Sequence, residues 1–161
     1  MKFLGTIEIQ RDIEDVFEFI ASPEKLLGGV GFVRVAEGQR QLGVGTVYAV
    51  EAKVGPVKAV MEYKVTDYYR PIRISYEITA PKPGESGRWS ILTRRKRELP
   101  PIQQVYQLER SAKGTLITLT DEYPMSFAYI LFPLLKGPLG RQMMRRQLRK
   151  LKAKIETDPP G

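Results

Sequence analysis

Hydrophobic and polar residues alternate near the start of the chain, and the period then changes. Residues 3–10 follow the two-residue period of a half-buried strand, which ends at Arg11. Asp12 stands where a helix N-cap is expected, and apolar residues recur at helical spacing after it. Ser22 and Pro23 begin a second short helix, with Ser22 as its cap and Pro23 at its first position. These patterns predict one strand followed by two short helices.

From Val30 onward the alternation returns and predicts a series of strands. The predicted strands cover residues 30–37, 44–54, 56–68, 71–80, 102–110 and 114–123. Turn-forming pairs separate several of them, among them Gly55-Pro56 and Lys113-Gly114. Because consecutive strands joined by short turns form an antiparallel meander, the pattern predicts seven strands in one sheet.

Two segments break this alternation. Residues 81–100 are rich in Pro and Gly and then strongly basic, which predicts a long loop insertion. Residues 126–156 predict one long C-terminal helix that is apolar on every side at first and then keeps only a narrow apolar stripe. Residues 157–161 predict a frayed tail.

The fold class follows from these elements. A lone long helix has to cover one face of the sheet, since it has no other partner for its apolar stripe. We therefore predict an α+β fold and a single domain over residues 1–161, in which a curved, seven-stranded antiparallel sheet wraps around the C-terminal helix.

The composition removes several classes of chemistry. The chain has no His and no Cys, which excludes thiol nucleophiles, Ser-His-Asp mechanisms and metal sites built on thiolate or imidazole. No cluster of Asp and Glu suggests a carboxylate metal site, so neither a metal nor another cofactor is expected. The chain also lacks Asn and is rich in Arg, Lys and Glu, a composition that fits a thermophilic source.

The sequence also bears on location. No apolar run reaches the roughly 20 residues of a membrane-spanning helix. Polar residues follow Phe3-Leu4 at once, so no signal peptide is expected. We predict a cytoplasmic protein. Its formal net charge of +8 is compatible with an anionic membrane surface, an acidic partner protein or nucleic acid.

The order of elements and several short motifs resemble a known superfamily. The segments Ile7-Glu8-Ile9, Asp15-Val16-Phe17 and Ser22-Pro23-Glu24-Lys25-Leu26 resemble the N-terminal strand and helix pair of the SRPBCC, or START-like, superfamily, which includes polyketide cyclases and lipid-transfer domains. Residues 53–59 (KVGPVKA) and Val65-Thr66-Asp67 are similar to the CoxG family of carbon monoxide dehydrogenase subunits. The resemblance implies a helix-grip fold with a hydrophobic cavity between sheet and helix. It implies no particular reaction.

Strand phase and the resemblance together predict the residues that line this cavity. Four tyrosines and one methionine point inward by phase, and an inward tyrosine supplies an apolar ring and a hydroxyl that can orient a polar group. Two residues of the apolar part of the helix complete the wall. The predicted ligand-binding residues are Tyr48, Met61, Tyr63, Tyr76, Tyr106, Phe127 and Leu131. The alternative for each is core packing, with any hydroxyl bonded to the backbone.

The basic residues form two groups. The resemblance places the 81–100 connection near the mouth of the cavity, where an aromatic residue and four consecutive cations predict contact with an anionic membrane or a partner. These residues are Trp89, Arg94, Arg95, Lys96 and Arg97. In the C-terminal helix, one face carries Arg141, Arg145, Arg149 and Lys152. A solvated surface is the alternative for both groups, and nucleic acid is disfavoured because no aromatic residues are interleaved with the cations.

The predicted function is binding or carriage of a lipid- or quinone-like molecule. The resemblance to the CoxG family adds a role as a membrane-associated accessory subunit of a redox enzyme. The alternative is a cyclase- or dehydratase-type enzyme that acts on an apolar substrate in the same cavity. Asp121, Glu122 and Glu51 are candidate carboxylates, but no spacing singles out a pair, so no catalytic residue is assigned. The sequence leaves open the identity of the ligand, the partner and the oligomeric state.

Overall fold

The computed structural model describes residues 1–27, 31–35, 43–54, 57–79, 100–124 and 138–159. The elements in chain order are β1 (Lys2–Ile9), α1 (Ile13–Ala21), α2 (Pro23–Leu27), β2 (Gly31–Val35), β3 (Val47–Val54), β4 (Val57–Tyr69), β5 (Arg73–Thr79), β6 (Ile102–Ser111), β7 (Gly114–Glu122) and α3 (Pro138–Thr157). The order of strand, two short helices, further strands and a C-terminal helix confirms the predicted α+β class.

The described strands form one antiparallel sheet in which the first strand lies beside the last. The spatial order is β1-β7-β6-β5-β4-β3-β2. β1 pairs with β7 from Lys2 opposite Glu122 to Ile9 opposite Thr115. The other neighbours are joined in chain order, as the turn residues of the sequence predict. Only the return of β1 to the side of β7 departs from a simple meander.

The hairpin between β6 and β7 turns one residue earlier than the sequence predicted. Ser111 pairs with Gly114, so Ala112 and Lys113 form the turn. Gly114 opens β7 with a φ of +142°, a conformation that residues with a Cβ rarely adopt. This register places Gln104 of β6 directly opposite Asp121 of β7.

The helix α1 begins and ends as its sequence indicates. Asp12 is its N-cap, and the carboxylate accepts a hydrogen bond from the backbone N–H of Glu14 at 3.0 Å. The buried face of α1 carries Ile13, Val16, Phe17 and Ile20, and the helix lies against β5, β6 and β7. The short helix α2 follows directly and buries Leu26.

The C-terminal helix is described over part of its predicted length. The prediction covered 126–156, and α3 runs from Pro138 to Thr157, while residues 125–137 lie outside the described residues. The predicted apolar stripe is confirmed, since Met144, Leu148, Leu151 and Ile155 are all buried. Residues 80–99, which include nearly all of the predicted loop insertion, also lie outside the described residues.

Polar contacts hold the C-terminal end of α3 against the N-terminal helices. The Lys154 ammonium donates to the carbonyl of Leu26 at 3.2 Å, and Lys25 forms a salt bridge of 2.7 Å with Asp158. Arg11 donates to the carbonyls of Glu156 and Asp158. The first residues of the predicted frayed tail are therefore bonded to the rest of the domain.

The other contact that positions α3 is its crossing over β1 at Gly5. A Cβ at Gly5 would lie 2.6 Å from Cγ of Met144 and 2.7 Å from Cδ1 of Leu148. Both distances are shorter than carbon atoms tolerate, so the missing side chain at Gly5 lets the helix approach the strand. The close approach brings the buried stripe of α3 onto the sheet.

We expect Gly5→Val to lower the free energy of unfolding by about 1–3 kcal/mol, since it forces extra volume between β1 and α3. The gain in strand propensity spans only about 1 kcal/mol and does not offset this cost. Urea denaturation followed by circular dichroism measures the difference. Gly43→Val is the matched control, because a Cβ at Gly43 meets nothing within 4 Å. Equal effects of the two substitutions would contradict the proposed crossing.

Candidate functional site

The inner face of the sheet, which is the face that packs against α1 and α3, carries a line of buried tyrosines. Tyr48 of β3, Tyr63 of β4, Tyr76 of β5 and Tyr106 of β6 are all buried, as their inward strand phase predicts. The Tyr63 and Tyr76 rings meet edge to face at a centroid distance of 6.2 Å, and Tyr76 and Tyr106 do so at 6.3 Å. The line therefore crosses four adjacent strands.

Two of these tyrosines have protein partners for their hydroxyl groups. The Tyr76 hydroxyl donates to the carbonyl of Ile20 at 2.8 Å, near the C-terminal end of α1. The Tyr106 hydroxyl donates to Oε1 of Gln104 at 3.1 Å. Nε2 of Gln104 in turn donates to Oδ1 of Asp121 at 2.9 Å. A buried chain of hydrogen bonds thus runs from a phenol through an amide to a carboxyl group.

The hydroxyl of Tyr48 has no hydrogen-bond partner among the described residues, although the side chain is only 1% exposed. Buried polar atoms without a partner are rare and require an explanation. The buried Oγ of Ser75 is also unpartnered, but Ser75 precedes Tyr76 in β5 and so points to the opposite face of the sheet. Among the described residues on the inner face, Tyr48 is therefore a fully buried tyrosine whose hydroxyl lacks a partner.

Burial keeps the tyrosine hydroxyls protonated. It raises the pKa of Tyr48 and of Tyr63 to about 12, with a smaller contribution from Tyr68 at the first site and Asp121 at the second. It raises the pKa of Tyr106 well above the ordinary value for the same reason. None of these phenols is a base near neutral pH, and each acts as a neutral hydrogen-bonding group.

The carboxyl group of Asp121 lies in the same buried environment, with only 3% of the residue exposed. Burial raises its pKa above the ordinary value, and the hydrogen bond from Gln104 partly opposes that shift. Desolvation therefore exceeds the stabilisation that one amide donor gives to the charged form.

A cleft of about 40 Å³ opens beside Asp121, between the end of β7 and the first turns of α3. Its walls are Phe3, Asp121, Tyr123, Gly140, Met143, Met144 and Gln147. This volume holds a small group or water, whereas sites for whole drug-sized ligands measure roughly 300–1,000 Å³. The described cleft is therefore suited to one end of a ligand.

Comparison with known proteins assigns the family. Residues 1–156 match the family described as polyketide cyclase / dehydrase and lipid transport. The chain belongs to this family. No curated protein matches the sequence. The polyketide cyclase-like part of the sequence resemblance is thereby confirmed, while the closer similarity to the CoxG family stays a prediction.

Solved structures share the fold of this polyketide cyclase-like chain at low sequence identity. Protein MLL2253 from Mesorhizobium loti is 14% identical with a TM-score of 0.64, over 98% of this chain and 99% of that one. Protein CV1439 from Chromobacterium violaceum is 14% identical with a TM-score of 0.61, over 98% and 99%. TTHA0849 from Thermus thermophilus is 16% identical with a TM-score of 0.58, over 96% and 97%. These likenesses show the fold alone.

The structure brings some of the predicted site residues together. The four inward tyrosines form the line described above, and Met61 is half-buried beside it on β4, opposite Val50 of β3. Seven predicted residues lie outside the described part of the chain: Trp89, Arg94, Arg95, Lys96, Arg97, Phe127 and Leu131. Within the described ranges, no group of three acidic side chains could hold a metal ion, and no helix is long and apolar enough to span a membrane.

Sequence reasoning did not identify Gln104 and did not single out Asp121. The sequence held a signal for both residues, since each is a polar residue at an inward position of its strand. Gln104, Tyr106 and Leu108 alternate on the buried face of β6, so Gln104 is a polar residue at an inward position. The sequence prediction placed the turn at Lys113-Gly114 and set no register between the two strands, so it did not bring Gln104 opposite Asp121.

We expect Asp121→Asn to stabilise the protein more at pH 7 than at pH 4. A raised pKa means that the folded state binds the carboxyl proton more tightly than the unfolded state does. Stability is then complete below the ordinary carboxyl pKa and is lost as pH rises through the folded value. Asparagine stays neutral and avoids that loss. Urea denaturation at the two pH values tests this, with Glu122→Gln at an exposed position as the control. If wild type and Asp121→Asn differ in free energy of unfolding by the same amount at both pH values, the raised pKa of Asp121 is refuted.

Proposed function

We propose that this chain binds an apolar small molecule of the lipid or quinone type, whose polar group forms a hydrogen bond with the Tyr48 hydroxyl. The observation that supports the proposal is the buried Tyr48 hydroxyl on the inner face, which has no partner in the described part of the chain. A buried hydroxyl left without a partner costs about 1–3 kcal/mol. A ligand oxygen that reaches Tyr48 removes this cost, whereas water gains little from entering so apolar a site.

The surroundings of Tyr48 set the chemistry of the ligand. Tyr48 lies opposite Tyr63 in the sheet and is flanked by the buried Val50. Aromatic and branched aliphatic side chains offer contact area and no charge, so they favour a neutral, mostly hydrocarbon molecule. The family description names both polyketide cyclase / dehydrase activity and lipid transport. Both involve mostly apolar molecules, which supports an apolar ligand for this chain.

We expect Tyr48→Phe to weaken ligand binding about fivefold, the value of one hydrogen bond of about 1 kcal/mol. The same substitution should leave the ligand-free protein as stable as wild type or more stable, because it removes an unsatisfied buried group. Suitable probes are 1,4-naphthoquinone and 1-dodecanol, measured by isothermal titration calorimetry.

Tyr76→Phe is the matched control for this experiment. Its hydroxyl already donates to Ile20, so its loss should lower the free energy of unfolding by about 1 kcal/mol. Tyr48→Phe should be free of that penalty. If wild type binds neither probe, and native mass spectrometry finds no co-purified ligand, the binding function is wrong.

Catalysis on the same inner face of the sheet is the second candidate function, and the buried Asp121 favours it. A buried carboxyl group with a raised pKa, held in place by Gln104, is the kind of group that donates a proton in a cyclase- or dehydratase-type reaction. Binding of an apolar molecule comes first in either case, since a substrate has to occupy the site before a proton moves.

We also propose peripheral contact with an anionic membrane through the outer face of α3. Five basic residues are exposed there, and none forms a salt bridge with another described residue: Arg141, Arg145, Arg146, Arg149 and Lys150. Met143, which is 58% exposed, adds an apolar group beside them. Each cation near an anionic surface contributes about 1 kcal/mol. An accessory role beside a redox enzyme rests on the sequence resemblance to the CoxG family alone.

We expect the combined substitution of Arg141, Arg145 and Arg149 by Gln to lower partitioning onto anionic vesicles roughly 100-fold at low salt. Co-sedimentation with vesicles of phosphatidylserine and phosphatidylcholine measures it. Substitution of Lys2, Lys64 and Lys113, which are exposed elsewhere, changes the net charge equally and should have a smaller effect. No binding by wild type at low salt would exclude this membrane contact.

A further inference from the structure

The cleft beside Asp121 combines an apolar wall with a single buried carboxyl group. Phe3 of β1 and two methionines of α3 supply the apolar contacts, and Gln147 and Tyr123 supply the rim. The residues that α3 contributes, Gly140, Met143, Met144 and Gln147, carry no charge. The lining of the cleft on the helix side is therefore uncharged, and the neighbouring cations Arg141 and Arg145 lie outside that lining.

The hydrogen-bond chain decides which oxygen of Asp121 carries the acidic proton. Oδ1 accepts from Nε2 of Gln104, and the orientation of that amide is set by Tyr106, whose hydroxyl donates to Oε1. An oxygen that already accepts an N–H donor is a poor site for a proton. When the carboxyl group is protonated, its proton therefore resides on Oδ2, and Oδ2 is then a hydrogen-bond donor.

We infer that this cleft is a binding subsite for the hydrogen-bond-accepting oxygen of a neutral ligand, of the ketone, ester or quinone class, and that Oδ2 of Asp121 is the donor. The inference rests on the proposed apolar-ligand function, and it names the chemical group that the site recognises. It also separates two subsites, because Tyr48 on β3 and Asp121 on β7 lie at opposite sides of the inner face.

The donor exists only while the carboxyl group is neutral, so binding of the acceptor oxygen depends on pH. The titratable groups facing Asp121 are Tyr63, Tyr106 and Tyr123, and burial raises the pKa of Tyr63 and of Tyr123 to about 12. The pKa of Tyr106 is raised well above its ordinary value. The amino group of Met1 is also near, since it donates to the carbonyl of Tyr123 at 2.6 Å. No histidine is present to titrate in place of Asp121.

The test uses two probes of similar size, 2-acetylnaphthalene and 2-isopropylnaphthalene, titrated by fluorescence between pH 5 and pH 8. The ketone offers an acceptor oxygen and the hydrocarbon does not. We expect wild type to prefer the ketone about fivefold at acidic pH. The preference should fall as pH rises through the raised pKa of Asp121, because a carboxylate has no proton to donate and repels the carbonyl oxygen. Affinity for the hydrocarbon should not change.

Asp121→Asn provides the decisive comparison. Its side-chain oxygen can accept from Gln104 as before, and its amide then presents an N–H to the cleft at every pH. The preference for the ketone should persist and lose its pH dependence. Glu122→Gln, an exposed substitution that also removes one carboxylate, should behave like wild type, which excludes a general effect of net charge.

The outcomes separate this inference from the proposed function. If both probes bind equally at all pH values, apolar binding stands and the acceptor-oxygen subsite is wrong. The same conclusion follows if Asp121→Asn keeps the wild-type pH profile. If neither probe binds wild type at any pH, both the subsite and the apolar-ligand function are overturned.

Discussion

Burial of polar groups on the inner face of the sheet is the constraint on which the rest of this structure depends. Hydroxyl, amide and carboxyl groups are removed from water there, and each needs a partner to offset the loss of hydration. The fold supplies partners to most of them through elements far apart in sequence. Tyr76 reaches α1, and Asp121 is reached from β6 through Gln104. The Tyr48 hydroxyl has no partner among the described residues, and the proposed ligand would supply one.

The hydrogen bond from Tyr76 to Ile20 gives Tyr76 a structural role that the other three tyrosines of the line do not have. The last carbonyls of any helix lack a donor within the helix, and Ile20 is the second-last residue of α1. The Tyr76 hydroxyl supplies that donor from the sheet, so it joins α1 to β5. Tyr76 is therefore committed to holding the fold together. Tyr48 lies two strands away and is as deeply buried as Tyr76, but its hydroxyl makes no such bond to another described residue.

The sequence was sufficient for the elements and for the inward phase of the tyrosines, because a period of two and a capping residue are local signals. Asp12 caps α1, and the stripe from Met144 to Ile155 is buried as its spacing predicts. These local signals could not predict the pairing of Gln104 with Asp121, since the register of two strands depends on which residues occupy the turn between them. The return of β1 to β7 and the close crossing at Gly5 depend on tertiary packing, which no local pattern encodes.

Geometry limits what a ligand on the inner face can be. Tyr48 and Asp121 lie on strands separated by β4, β5 and β6, which corresponds to about 19 Å across the sheet at the spacing of adjacent strands. A small ring system reaches one of the two groups and not both. Under the proposed function, a molecule that contacts both groups would have to extend along the aromatic line of Tyr63, Tyr76 and Tyr106 between them. Since those three hydroxyls stay protonated and two are bonded within the protein, the middle of the path offers contact area rather than polar recognition. Under the proposed function, polar recognition would therefore be concentrated at the two ends of the inner face, and this arrangement would select a ligand by its length and by the chemistry of its terminal groups.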